Sequence, residues 1–286
     1  KTQHFVTGSF VSHAKFVDDA TYSTILDNVV KATCDVFVVH QRPLSPGGDV
    51  KVPHVLLGKR VGLPHNDWWI PGGRMMPGEQ AAHAAGRLLK RELGMHFAPK
   101  ELDVKTSPEA KAILLERFNS LAHFTFVWDT RTQDPITNGT CDVSLILQVD
   151  ATDEEGQSVL HKQNEYTDLK WVSVTELVED IRRAAPEDLA TSEGETDIVA
   201  IQAHQAEVAA GNSNDNNSSV ALLDESSTTE VPKGHKLHPA LRAGLLELDA
   251  KMKWDALKAQ LHQGSNDAAV VGALKEFMAA KGEKGF

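Results

Sequence analysis

Between Trp68 and Met95 the chain runs WWIPGGRMMPGEQAAHAAGRLLKRELGM. A glycine turn, Gly72-Gly73, leads into alanines and leucines at helical spacing, among them Glu79, Arg87, Arg91 and Glu92. These residue types suit one kind of chemistry. Carboxylates one helical turn apart can converge on a single divalent cation. A glycine turn lets the backbone come close enough for a carbonyl to join them. A cation held in this way neutralises a diphosphate and stabilises it as a leaving group.

These side chains need a scaffold, and the hydrophobic pattern outlines one. A short helix is expected over Tyr22–Asn28. The valine-rich stretch Ala32–His40 is expected to be a buried strand, followed by strands at His54–Arg60 and Asp67–Ile70. A helix runs over Gly78–Leu93, opened by Pro77 and Gly78 and stopped by Gly94. Strands follow at Arg117–Thr130, Asp142–Asp150 and Leu169–Val172. A helix then covers Ser173–Arg183, with Ser173 or Thr175 as its N-cap. The interleaving favours an α/β fold with a mixed sheet between helices.

The division expected along the chain is an N-terminal arm over 1–19, a catalytic-type domain over 20–185, a flexible linker over 186–235 and a helical C-terminal extension over 236–286. The arm has a weak apolar pattern and could equally form an edge strand. Gly211–Thr229 is dominated by Asn, Ser, Thr and Asp and is expected to be disordered. Pro239–Gln263 is helical, with Leu241, Leu245, Leu248 and Met252 on one stripe. That stripe suits packing on its own domain and docking of a partner or second copy equally well. Val270–Lys281 is a further short helix.

The formal charge of −11 argues against nucleic acid or an anionic membrane as a partner, and no apolar run is long enough to span a bilayer. Cys34 and Cys141 form no C-x-x-C pair, so neither a disulfide framework nor structural zinc is expected, and a cytoplasmic or other reducing compartment fits. Cys34 lies in an apolar run and is expected to be core.

The spacing in Trp68–Met95 resembles the Nudix hydrolase signature, G-x5-E-x7-R-E-U-x-E-E-x-G-U, with U a bulky apolar residue. Gly73, Glu79, Arg87, Glu92, Gly94 and Met95 fall on its positions. The resemblance implies a Nudix-type α/β/α sandwich. Two family carboxylates are missing, because Leu88 follows Arg87 and Arg91 precedes Glu92. That departure resembles the GDP-mannose mannosyl hydrolases, which lack the same carboxylates, use one magnesium ion (Mg2+) and cut the sugar C–O bond. Leu56-Leu57-Gly58-Lys59-Arg60, Trp69 before Pro71-Gly72-Gly73-Arg74, and Asp35 extend the likeness.

By this resemblance the Gly73 carbonyl and Glu92 hold the metal. Arg60, Arg74 and Arg87 contact the diphosphate or order the site, and Asp35 meets the substrate. Arg87 could instead only brace the turn against the helix through Glu79 or Glu92. In a later loop Glu165 takes a ligand position and Tyr166 the place of the base. Tyrosine is a poor base at neutral pH, so Glu165 or His161 could substitute. Trp68 and Trp69 could stack on a nucleobase but suit core packing better. The function implied is hydrolysis of a nucleotide sugar of the GDP-mannose or GDP-glucose type. The rival is a catalytically degenerate Nudix module that binds a nucleotide or serves as a structural subunit. Leu88, Arg91 and Tyr166 speak for the rival.

Overall fold

The computed structural model describes residues 4–44, 48–60, 62, 67–162, 165–185, 189, 220–223, 231–262 and 267–282. A mixed sheet lies at its centre, built on β1 (Lys31–Pro43). This strand pairs antiparallel with β2 (Lys51–Arg60) and with β4 (Gly72–Arg74), and parallel with β6 (Thr140–Ala151). β3 (Trp68–Trp69) and β8 (Tyr166–Ser173) add to β2, and β5 (Asn119–Trp128) adds to β6. Because side chains alternate across a strand, Val36 and Val38 join one core while Phe37 and Val39 join another. Both faces of β1 are covered, which is why Cys34–Val39 is nearly unbroken apolar sequence. The result is the expected α/β/α sandwich. Cys34 is buried as anticipated, its thiol directed at the Ala81 carbonyl.

On the first face lie α2 (Ala81–Leu93) and α3 (Pro108–Arg117). α2 starts three residues later than Gly78, because Gly78 takes positive φ and Glu79 folds back to accept the Met76 N–H at 2.8 Å. It stops where expected. Gly94 adopts the left-handed conformation (φ 66°), and its N–H reaches the carbonyls of Leu89 and Lys90. α3 buries only Ala110 and Leu114, too little to stand out as an apolar period, although Ser107 caps it and Pro108 occupies its first turn. The short α4 (Asp153–Gln157) is held by a capping box between Thr152 and Glu155.

On the second face lie α5 (Val174–Arg183), capped by Ser173, and α6 (Pro239–His262). Leu241, Leu245 and Leu248 are buried against Phe37, Phe126, Val178 and Ile181. The stripe therefore packs on its own domain, and the alternative of a free docking face for a partner or second copy is not what it serves. Arg182 ties α5 to α6 through Asp249 at 2.9 Å. α7 (Asp267–Gly282) packs on α6, with the Trp254 and Phe277 rings 5.0 Å apart.

Of the two readings of the N-terminal segment, arm and edge strand, the arm is what the described residues form, while the expected linker differs in one place. The described arm, residues 4–17, contains neither helix nor strand; Phe5 and Phe16 are exposed. Within the presumed linker, β9 (Val220–Leu222) pairs with β7 (Leu160–Lys162), and the rest of 211–229 apart from Leu223 lies outside the described residues. α1 (Asp19–Asn28) begins earlier than Tyr22, because Asp18 caps it by accepting the Thr21 N–H. Among the described residues no helix is long and apolar enough to cross a membrane.

Candidate active site

Pairing of β4 with β1 sets Gly72 beside Asp35 and Gly73 beside Cys34. A side chain on Gly72 would collide with the Asp35 carboxylate and the Cys34 carbonyl, so only glycine fits. Around this point two cavities meet. The first, about 220 Å³, is lined by Arg60, Gly73, Arg74, Arg91, Glu92, Glu165 and Tyr166. The second, about 250 Å³, is lined by Asp35, Lys31, Thr140 and Asp142, with Tyr22, Trp69, Phe126 and Trp128 as aromatic walls. Arg60, Gly73 and Arg74 belong to both. Every site residue anticipated from the sequence except Arg87 and His161 therefore lines one or both of these cavities.

Arg87 faces the other way. Its Nε and Nη2 donate to the two Glu79 oxygens at 2.6 and 2.7 Å, and Nη2 also reaches the Arg74 carbonyl at 3.0 Å. Glu79 in turn accepts from the Met76 N–H. This two-pronged pair staples the glycine turn to α2. Of the two roles open to Arg87, bracing is the one the geometry supplies.

Glu92 is buried at the end of α2. Its Oε1 lies 2.5 Å from the Arg91 guanidinium, and its Oε2 accepts the Tyr166 hydroxyl at 2.7 Å. Burial raises the Glu92 carboxyl above its ordinary range, while Tyr166 and Arg91 pull it back. Burial, followed by the Glu92 charge, holds the Tyr166 hydroxyl well above its own range. A phenol so placed keeps its proton at neutral pH. Tyr166 therefore serves as a donor that fixes Glu92, in keeping with tyrosine's being a poor base at neutral pH. His161 does not take the place of the base, because its Nε2 is bonded to the Tyr166 carbonyl and it lines neither cavity.

Asp35 is the unusual acid of the second cavity. Burial pushes its carboxyl up to about 6, against the pull of the Ser144 hydroxyl, the Arg60 charge and the Trp69 indole. The group is thus ionised near neutral pH at a marked desolvation cost, the pattern of a functional carboxylate. Trp69 and Phe126 meet edge to face at 5.8 Å, so Trp69 is core and cavity wall at once.

A divalent cation can be tested against the donors present. Among the described residues no three His, Cys, Asp or Glu side chains are grouped to hold one. The donors on hand are hard oxygens, from the Glu92 and Glu165 carboxylates and the Gly73 carbonyl, around one cavity. Arg91 already places a cation on Glu92. Magnesium commonly binds one or two carboxylates, keeps several waters and completes its shell with substrate phosphates. The donor set fits that mode and no tighter cage. Leu88, in place of a carboxylate, is packed in the interior against Gly73.

Sequence reasoning missed Lys31, Thr140, Asp142 and Ser144. Their signal was present as period-two polarity. Lys31, Thr33 and Asp35 alternate on β1, and Thr140, Asp142 and Ser144 alternate on β6. Parallel register sets Lys31 beside Asp142 and Thr33 beside Ser144. Thr140 Oγ1 is buried without a hydrogen-bond partner among the described residues. Arg131, also unforeseen, is 1% exposed and fastens α1 over the cavity by donating to Asp27 and Ser23, both at 2.6 Å.

A mixed sheet between helices, with a glycine turn and a carboxylate-bearing helix beside its central strand, is the architecture of the Nudix fold. The sequence profile of the NUDIX domain matches residues 45–192, just over half of the 286 residues, and the chain belongs to that family. Its hydrolases act on nucleoside diphosphate derivatives and generally use divalent metals such as Mg2+. β1 precedes the matched span. No curated protein matches the chain. Among solved structures, a MutT/nudix family protein from Enterococcus faecalis is 18% identical, over 54% of this chain and 51% of that one, with a TM-score of 0.34. A MutT NUDIX hydrolase from Burkholderia pseudomallei is 19% identical over 52% and 86%, with a TM-score of 0.34. The NUDIX domain of Shewanella oneidensis NrtR, crystallised with ADP ribose, is 15% identical over 57% and 88%, with a TM-score of 0.33. The chain spans about half the length of the Enterococcus protein.

Proposed function

We propose that this protein hydrolyses a nucleoside-diphosphate sugar of the GDP-mannose or GDP-glucose type, releasing the free sugar and the nucleoside diphosphate. The observation that carries this reading is the sharing of Arg60, Gly73 and Arg74 by the two cavities. A diphosphate seated on the two arginines has metal-binding oxygens on one side and Asp35, in an aromatic-walled chamber, on the other. Gly73, Glu92 and Glu165 would hold magnesium, which when bound supplies neutralisation of the diphosphate leaving group. Arg60 and Arg74 bind and orient that diphosphate. Asp35 meets the sugar and accepts a proton from the attacking water, a role its carboxyl near pH 6 suits. The water oxygen bonds to the anomeric carbon, and the C–O electron pair leaves with the diphosphate. Arg87 positions the turn, and Tyr166 positions Glu92. In this reading residues 20–185 are the catalytic unit, and 236–262 supplies the helix that completes its core.

A nucleotide-sugar panel with magnesium and product identification tests the proposal. Free sugar and nucleoside diphosphate are expected. Nucleoside monophosphate and sugar phosphate would move the cut to phosphorus.

One observation favours a second reading, in which the module binds nucleotides without turnover. Both Glu92 oxygens are already bonded from within the chain. Under that reading GDP-sugars raise the melting temperature but are recovered intact.

A further inference from the structure

Arg91 occupies a position where the family signature has a carboxylate, and the side chain does more than subtract a ligand. Its guanidinium lies 2.5 Å from Glu92 Oε1, and it lines the cavity shared by Gly73, Arg74 and Glu165. The two partners differ in freedom. The Glu92 side chain is 4% exposed and the Arg91 side chain 56%. The Arg91 backbone is fixed, because the Lys162 ammonium is bonded to its carbonyl and the helix ends at Gly94. The guanidinium can therefore leave Glu92 by rotating its side chain, with no change in the fold.

The Arg91 fork would suit a phosphate as well as it suits the Glu92 carboxylate. A planar fork of donors matches a carboxylate and a phosphate alike. A metal at Glu92 must displace Arg91, and it must do so with only two carboxylates and a carbonyl to compensate. We propose that Arg91 is an internal counter-ion that occupies Glu92 in the free protein and yields it when a divalent cation arrives together with a diphosphate, to which Arg91 then transfers. Cation and diphosphate therefore bind as a coupled pair, each tightening the other by the same factor. The diphosphate arm rests on the nucleotide reading above; the competition between Arg91 and the cation does not.

The test is a manganese titration followed by electron paramagnetic resonance, with the metal alone and with GDP, after allowing for the manganese–GDP complex. Wild type is expected to bind manganese weakly alone and about tenfold or more tightly with GDP. Arg91→Gln is expected to bind manganese alone about tenfold more tightly than wild type, with the GDP effect reduced. Arg91→Lys, which keeps the charge without the fork, should fall between them and is the fallback if Arg91→Gln does not fold. Adding Glu92→Gln to Arg91→Gln should remove the gain, which assigns it to this site. Equal manganese affinity of wild type and Arg91→Gln without nucleotide overturns the proposal. If GDP neither binds nor raises the melting temperature, the nucleotide reading fails, and the metal-alone comparison still decides the role of Arg91.

Discussion

Replacing Asp35 by Asn should make the protein more stable at neutral pH while removing activity, and the size of the gain can be worked out. Burial raises the Asp35 carboxyl from 3.8 to about 6. The folded state therefore holds this proton more tightly than the unfolded chain does. Below the unfolded value the group is neutral in both states and costs nothing. As pH rises through the folded value that advantage is lost. A shift of roughly 2 units corresponds to about 3 kcal/mol, complete only above about pH 7. At about pH 4.5 only ~1 kcal/mol of it has developed. The asparagine side chain cannot ionise, so the stability difference between variant and wild type should grow by about 2 kcal/mol between about pH 4.5 and pH 7.5. A constant offset accompanies it, because Asn offers one acceptor where Asp35 receives both Ser144 and Trp69. Urea unfolding at the two pH values separates the offset from the slope. A difference that does not change with pH would refute the buried-charge account and remove the physical basis for Asp35 as the proton acceptor.

Other substitutions probe the neighbouring parts. Arg87→Ala should cost about 2–3 kcal/mol in chemical denaturation, since it leaves the half-buried Glu79 without its pair, and a double-mutant cycle with Glu79→Gln should show strong coupling. Tyr166→Phe removes the donor to Glu92 Oε2. If Tyr166 is a donor and not the base, the pH–rate profile should keep its shape while its amplitude falls; loss of the acidic limb would restore Tyr166 as the base. Leu245→Ala, in a fully buried position on α6, should cost about 2–5 kcal/mol in thermal or urea unfolding. A near-neutral effect there would show α6 to be separable from the sheet.

Much of the site was legible because its spacing depends on local geometry. Gly73, Glu79, Arg87 and Glu92 lie on one turn and one helix, where sequence distance converts directly to position. Asp35, Arg60 and Glu165 came from a resemblance, and the sheet brings them to the same cavities. Orientation was not legible. Arg87 had two carboxylates within reach, and only the fold-back of Glu79 onto the Met76 N–H shows which one it takes. Lys31, Thr140 and Asp142 become neighbours only through the parallel β1–β6 register, which joins segments more than 100 residues apart. α3 escaped notice because it buries just Ala110 and Leu114. The apolar stripe of α6 was visible, but no pattern within a helix says whether its cover lies in the same chain.

The proposed reaction stands or falls on which bond is broken. Hydrolysis of GDP-mannose in water enriched in oxygen-18, followed by mass spectrometry of both products, decides it. Cleavage of the sugar C–O bond puts the label in the released sugar and leaves GDP unlabelled. Label in a phosphate, with GMP and mannose phosphate as products, would contradict it.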